Sequence, residues 1–496
     1  MTQDLENTLI YDLCIVGGGY AGVNALHAAL DYLSPESRVL LVDMNDGFGG
    51  QWRQQYDFVR LHQPYRHFTA GDVPWKLDRP RDYLASKPEV VAHLSSIASM
   101  ASNHAKLETR FGCRFTNATE DEDGVTVFFR AVDGQLDSNQ EDERIRARKL
   151  ILARGFEIQI LKPLTFSCTT IESLSVVDPK VQELPFLDPP RPVVLVGGGK
   201  TAMDCAYHLI TQSQGKLPIT MLTGRGSWFT VRETIFPAGW RRLLFGASRV
   251  FSDWFIWIVT RYNGDNAKEV YQTLADKDFL HSPTPNPENF TFGLLGKHES
   301  ATIRKGLKES IPGHLRDIVT REDGTCAMTI VSKGTVTKIP ISDDTVVINC
   351  TRHLRDNEKR PIVSKGGAIC APQKFLIFTG PSAFVGTHLF YLGRLSAIWR
   401  RFRWTSFESE PRENLGLNLT TLYISNLMEV MYALPLRVLI RLYADFNRWF
   451  PWYRQVPALL NLIRYRSRLR KIGDTILKQR YPDEVEQSMK CPPSNQ

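Results

Sequence analysis

Two short glycine clusters are the residues of this sequence best suited to chemistry. The first reads Gly17-Gly-Gly-Tyr-Ala-Gly22 and the second Gly197-Gly-Gly-Lys-Thr-Ala202. Glycines at this spacing let a backbone turn sharply, bring N–H groups up to a diphosphate, and let the next helix close onto the preceding strand. Gly17 permits the tight turn, Gly19 the approach to a pyrophosphate, and Gly22 the helix–strand contact. Asp43, about twenty residues further on, can accept hydrogen bonds from a ribose diol. In the second cluster Gly197 and Gly199 repeat the pattern, Lys200 and Thr201 follow, and Ala202 replaces the third glycine. No acid closes the next strand; Arg225 stands there instead. An acid would repel a 2′-phosphate, whereas a guanidinium pairs with one in bidentate fashion. Arg225 therefore points to NADPH rather than NADH, its other reading being a solvated loop arginine. Arg232 is a second candidate for the same phosphate.

The elements that must position these turns are legible in the hydropathy. Residues 11–16 (YDLCIV) read as a buried strand, 23–32 as a helix, and 38–42 (RVLLV) as a strand ending at Asp43. Residues 192–196 (PVVLV), 203–211 and 218–222 (PITML) repeat that order about 180 residues later. This predicts an α/β fold of two Rossmann-like dinucleotide-binding domains, with an NADPH domain inserted in an FAD domain, plus a helical C-terminal extension. The expected divisions are 1–187 for the first part of the FAD domain and 188–340 for the NADPH domain with a helical insert. Residues 341–400 then return to the FAD domain, and 401–496 form a helical region rich in bases and aromatics.

Composition narrows the class. Of 496 residues, 43% are hydrophobic and 23% charged, which is ordinary for a globular chain. The 8 cysteines include no C-x-x-C spacing, so neither a zinc site nor a thioredoxin-type dithiol is written here, and no metal is expected. MTQDLENTLI at the start carries two acids and no base, unlike a signal peptide. The apolar run 251–260 is too short to span a bilayer and contains Asp253. A soluble, cytoplasmic protein is expected. The net charge of +8 gathers late: residues 434–481 hold eleven bases, among them Arg441, Arg466 and Arg470, against Asp445 and Asp474. Aromatics are interleaved, and Pro435, Pro451 and Pro457 divide the stretch into short helices; residues 240–262 are similar. Such a region is either a helical cap or a peripheral contact with anionic lipid. Nucleic acid is not expected, because no recognition motif accompanies the charge.

Beyond Asp43 come Gly47-Phe-Gly-Gly-Gln-Trp-Arg53 and Tyr56-Asp-Phe-Val-Arg-Leu-His-Gln-Pro-Tyr65. On these runs the sequence resembles the flavin-containing monooxygenases and their Baeyer–Villiger relatives, a resemblance covering roughly residues 10–395. It implies that Gly50, Gln51 and Trp52 lie along the flavin, and that Arg60, His62 and Gln63 approach its ring. Ile151-Leu-Ala-Arg-Gly155 and Asn349-Cys-Thr-Arg352 resemble the family's two domain crossovers, and Gly380-Pro with Thr387-His-Leu-Phe390 its late return to the flavin. Arg154 and Arg352 replace small residues there, and the signature F-x-G-x-x-x-H is absent. The implied activity is an FAD-dependent, NADPH-using monooxygenase that oxygenates a small organic substrate with O₂ through a C4a-(hydro)peroxyflavin.

Arg60 or Arg53 would stabilise the negative peroxide, and His62 would donate a hydrogen bond or relay a proton. The other reading of Arg60 is a bond to a backbone carbonyl, and of His62 a structural histidine. Two further classes stay open. One is a membrane-peripheral NAD(P)H:quinone oxidoreductase; the other is a non-catalytic nucleotide-binding scaffold.

Overall fold

The computed structural model describes residues 10–132, 142–158, 161–246, 248–351, 354–356, 362–372, 379–402, 412–439, 441 and 452–480. Two five-stranded parallel sheets organise them. The first runs Ile369–Cys370, Leu150–Leu152, Leu13–Val16, Arg38–Val42, Lys106–Arg110 in spatial order. The second runs Glu172–Ser175, Val346–Asn349, Val193–Val196, Ile219–Leu222, Glu309–Ile311. Buried parallel strands need unbroken apolar runs, and LCIV and VVLV are buried at every position. In each sheet the central strand is followed in sequence by a neighbour on one side, while a much later strand returns on its other side. The carboxyl end of the central strand is thus a topological switch point, where open α/β sheets bind ligands.

The two expected units are present with small shifts. The first strand is interrupted at Asp12, whose carboxylate accepts the Arg38 N–H at 2.9 Å. The helices are Tyr20–Ala29, extended by a 3₁₀ turn at Leu30–Tyr32, and Lys200–Gln212. The expected boundaries fare less well. Glu172–Ser175 lies before the division at 187, and Val346–Asn349 after that at 340, yet both strands belong to the second sheet. Their edge-filling role is set by pairing partners far along the chain, which local pattern does not carry.

An antiparallel meander, His314–Thr320, Cys326–Ser332 and Thr335–Ile341, covers one face of the second sheet through Ile318, Met328 and Ile330 packed on Val194, Val196 and Leu222. The insert helices Phe255–Arg261 and Ala267–Asp276 join the C-terminal helices in one core with Phe255, Tyr271, Leu417 and Tyr423. Within it, Arg412–Ala433 is buried around its circumference, polar residues included. A helix enclosed on all sides is a core element. Two of its hydroxyls are satisfied locally: Thr420 and Thr421 donate to the carbonyls of Gly416 and Leu417 at 2.7 and 2.8 Å.

The last helix, Trp452–Arg480, packs against it, and Pro457, expected to divide the stretch into short helices, sits inside this helix near its start. Several bases of the tail face inward. Arg466 and Arg470 bind Glu429, a carboxylate only 5% exposed, with Arg401 at 4.0 Å. Arg441 pairs with Asp31 and donates to His27 on the first domain. These contacts seat the described part of the tail on the rest of the fold. No helix among the described residues is long and apolar enough to cross a membrane.

Burial opposes ionisation of Glu429, but Arg470 and Arg466 outweigh it and hold the carboxyl below its usual value. A group with a depressed folded pKa contributes stability above the unfolded value of about 4.3, and loses it as pH falls through the folded one. Glu429→Gln should cost about 2 kcal/mol at pH 7 and remove this part of the acid dependence. Urea unfolding at pH 7 and pH 4 checks both.

Candidate functional site

The first glycine turn is built by close approach. Gly17 has φ +113°, and a Cβ there would lie 2.4 Å from the Ala153 carbonyl oxygen; one on Gly22 would lie 1.7 Å from that of Gly17. No other residue fits either position. Gly19 is the N-cap of Tyr20–Ala29, so the free N–H groups of that helix open at the turn. Asp43, 6% exposed, accepts the Gly18 N–H and, at 2.7 Å each, the backbone and side-chain N–H groups of Asn45. Gly50 abuts the turn: with φ +53°, its Cβ would come 2.7 Å from Gly19 Cα. The short helix Gly50–Gln54 follows, carrying Gln51 exposed and Trp52 buried. The Trp52 ring meets Phe68 edge-on at 5.8 Å, and its Nε1–H has no partner among the described residues. The late helix Thr379–Tyr391 also reaches this turn, because a Cβ on Gly380 would lie 2.2 Å from the Tyr20 ring.

The second turn differs in one respect. A Cβ on Gly197 (φ +135°) would meet the Cys350 carbonyl oxygen at 3.0 Å, and one on Gly198 the Thr223 carbonyl oxygen at 2.2 Å. Gly199, the N-cap of Lys200–Gln212, has nothing within 4 Å. The backbone there is open to a ligand. Ala202 is buried in the helix–sheet seam, and Thr201 is half-buried. Arg225, at the end of the neighbouring strand, is 52% exposed and lies 3.5 Å from Glu413.

The segment between Gly50 and Gln63 spans the two turns. Beyond Gly50 and Trp52, Tyr56 donates from its hydroxyl to Asp204 at 2.8 Å, and Asp204 also binds Lys200 one helical turn earlier. Phe58 stacks on His208 at 4.3 Å. Arg232 donates from Nε to the His62 carbonyl oxygen at 2.6 Å and pairs with Glu299 at 2.9 Å. Glu299 in turn accepts the Gly296 N–H, closing the start of helix Lys297–Gly306. Gln63 is half-buried beside this junction.

Three expectations are corrected by this geometry. Arg232 is engaged at the domain junction by the His62 carbonyl and Glu299. Arg60 is exposed, donates to the Leu84 carbonyl at 3.0 Å and lies over the Tyr83 ring, the backbone-carbonyl reading of this residue. Arg53 is likewise committed to Asp46, at 2.6 Å. His62 is brought in, but burial first, then the charges of Lys200 and Arg232, push its pKa well below the usual histidine value. It is a neutral imidazole at neutral pH, able to donate or accept a hydrogen bond but not to start as a cation. Asp204 and Glu299 join the site without having been singled out by the sequence patterns, and the sequence marks Tyr56 only as part of a motif run. The Lys200–Asp204 spacing of four on a helix was the available signal.

Fold and site together define a protein with two dinucleotide-binding domains. Residues 11–229 match the family model described as pyridine nucleotide-disulphide oxidoreductase. An uncharacterised protein of Mycobacterium tuberculosis is 27% identical over 255 residues, 48% of this chain and 42% of its own length. A protein of Aspergillus sclerotiorum named as an FAD-dependent monooxygenase is 26% identical over 212 residues, 40% of this chain and 35% of its own. The chain thus spans about two fifths of the length of the curated relatives it matches. A solved structure described as an oxidised steroid monooxygenase bound to NADP covers 92% of this chain and 98% of its own, with TM-score 0.50 and 14% identity, a likeness of fold.

Arg232→Met removes one of the two cations that keep His62 neutral. The His62 pKa should rise toward the ordinary value, and ring NMR signals followed against pH measure it. An unmoved titration would show that Arg232 acts only through its hydrogen bond.

Proposed function

We propose that this chain is an FAD-dependent, NADPH-using monooxygenase acting on a small organic substrate and O₂. The observation that carries the reading is the segment 50–63. It touches the first glycine turn at Gly50 and the helix of the second turn through Tyr56 and Phe58. Two nucleotide sites joined by one structural element suit hydride transfer from one cofactor to the other. When bound, FAD accepts hydride from NADPH and supplies the reaction with O₂.

The residues fit that assignment. Gly17, Gly19 and Gly22 form a cradle that side chains would fill, and the helix N-terminus beside it favours a diphosphate. Asp43 would bind the ribose, and Gly50, Gln51, Trp52 and Gln63 would lie toward the ring, where the Trp52 Nε1–H, unpartnered among the described residues, could donate. Gly197, Gly199, Lys200, Thr201 and Ala202 would hold NADPH, with the open space over Gly199 for its pyrophosphate. The buried side chains of Trp52, Tyr56, Val59, Leu61, Tyr65 and Phe68 exclude water from this wall. His62, held neutral, can donate a hydrogen bond beside it. The first-sheet domain would be the FAD domain and the second-sheet domain the NADPH domain.

Purified protein should be yellow, and FAD should be released on denaturation. Gly19→Val, which would press on Gly50, should purify colourless; a variant as yellow as the parent would remove FAD from this turn. Arg225→Ala should weaken NADPH about ten- to a hundredfold, the worth of a charge-assisted hydrogen bond of roughly 1.5–3 kcal/mol. NADH, which lacks the phosphate, should be used as before. The check is KM for both nucleotides, with O₂ uptake and hydrogen peroxide release measured alongside. A parent that prefers NADH and passes electrons to quinone would replace this reading with a quinone reductase.

A further inference from the structure

Two cysteines meet at a place that the proposed reaction does not use. Cys168 lies on the stretch entering the second sheet, and Cys326 opens the central strand of the meander. Local backbone bonds register them. The Cys168 N–H donates to the Ile318 carbonyl at 2.8 Å, the Ser167 N–H donates to Asp317 at 2.9 Å, and Thr320 pairs with Cys326 across the hairpin. The two Sγ atoms are 2.7 Å apart. A disulfide has sulfurs about 2.0 Å apart, so little movement separates this pair from the bonded state.

We propose that Cys168 and Cys326 form a reversible disulfide on reaction with a hydroperoxide, tying the 161–171 segment to the meander. The site lies just under the surface. Cys168 is 2% and Cys326 1% exposed, but Ser167, Thr169 and Thr170 beside one and Thr325 beside the other are exposed. The two thiols are unequal. Burial raises the Cys168 pKa, but hydrogen bonds with Cys326, Thr170 and Thr320 outweigh it and bring it to about 6. Burial and the neighbouring Cys168 push Cys326 up to about 11. These directions make Cys168 the more acidic thiol of the pair, and hence the attacking one.

The chemistry balances with hydrogen peroxide as oxidant. The Cys168 thiolate attacks one peroxide oxygen and the O–O bond breaks. The departing hydroxide takes up the proton that Cys168 had released and leaves as water, and Cys168 becomes a sulfenic acid. The Cys326 sulfur then attacks the Cys168 sulfur, the S–O bond breaks, and the hydroxide leaves as a second water with the Cys326 proton. Two thiols and one hydrogen peroxide become one disulfide and two waters. A dithiol reductant reverses the change by thiol–disulfide exchange. Cys205 and Cys350 also share a hydrogen bond, but they sit within the second-sheet core, where that bond and burial raise the Cys205 thiol well above its usual value. That pair should stay reduced.

The test uses the full chain and does not depend on its redox activity toward nucleotides. Protein treated with a slight excess of hydrogen peroxide is denatured, alkylated and digested for mass spectrometry. The expected result is loss of two thiols, a peptide pair linked through Cys168 and Cys326 that dithiothreitol separates, and a higher unfolding temperature. Cys326→Ser should leave Cys168 as a sulfenic acid trapped by dimedone. Both cysteines remaining fully alkylatable after peroxide, or a linked pair made of Cys205 and Cys350 instead, would overturn the proposal. The parent's peptide map decides the matter even if the variant fails to fold.

Discussion

The approach of the Gly22 Cα to the Gly17 carbonyl is the contact on which the rest of the first domain depends. It lets the helix Tyr20–Ala29 lie directly on the strand Leu13–Val16, so its N-terminal N–H groups open at the carboxyl end of that strand. Gly17, pinned against Ala153, makes the same turn depend on the strand that returns on the other side. Asp43 then fastens the turn by accepting the Gly18 N–H. Strand order, turn and acid are therefore one mechanical unit, and the position of Gly50 against Gly19 extends it toward the second domain.

The second unit repeats the geometry with a different set of contacts. Its third small residue is Ala202, so a methyl occupies the helix–sheet seam where Gly22 leaves only a hydrogen. Its first helical turn is bound sideways, by Lys200 and Asp204 to Tyr56. The charged pair lies within this helix and reaches the first domain through the Tyr56 hydroxyl, and the cations here also set a field. Lys200 and Arg232 act together on His62, and the same two cations pull Glu299 below its ordinary value against the opposing effect of burial. The junction therefore keeps Glu299 ionised against the effect of burial, and His62 neutral with burial and the two cations acting in the same direction.

The central strands and both glycine turns were written in local patterns, because apolar runs and small-residue spacing act over a few residues. What the sequence did not display was which charged side chains find partners far along the chain. Arg60 and Arg232 have similar surroundings in sequence, yet one goes to the surface over Tyr83 and the other into the domain junction with Glu299. The boundaries at 187 and 340 missed for the same reason, since Glu172–Ser175 and Val346–Asn349 are assigned by pairing. The tail shows the limit of charge counting. Its bases look like a solvated face until Glu429, on the preceding helix and buried, is seen to draw Arg466 and Arg470 inward.

The departure at Arg154 can be judged by the same distinction between backbone and side chain. The first crossover contributes the Ala153 carbonyl that presses on Gly17, and this contact is made whatever side chain follows. Arg154 has its own Cα 3.5 Å from where a Gly17 Cβ would stand, while its guanidinium lies 5.7 Å from the centre of the Phe115 ring, on the small sheet beside the first domain. The guanidinium is directed to that sheet rather than into the turn. A large cation at this crossover is therefore compatible with an intact diphosphate cradle, which weakens the case for a scaffold that had lost its nucleotide. The second crossover is described only through Asn349, Cys350 and Thr351, since Arg352 lies outside the described residues. There too the Cys350 carbonyl meets Gly197 as that of Ala153 meets Gly17, so both turns are closed by backbone at the crossovers.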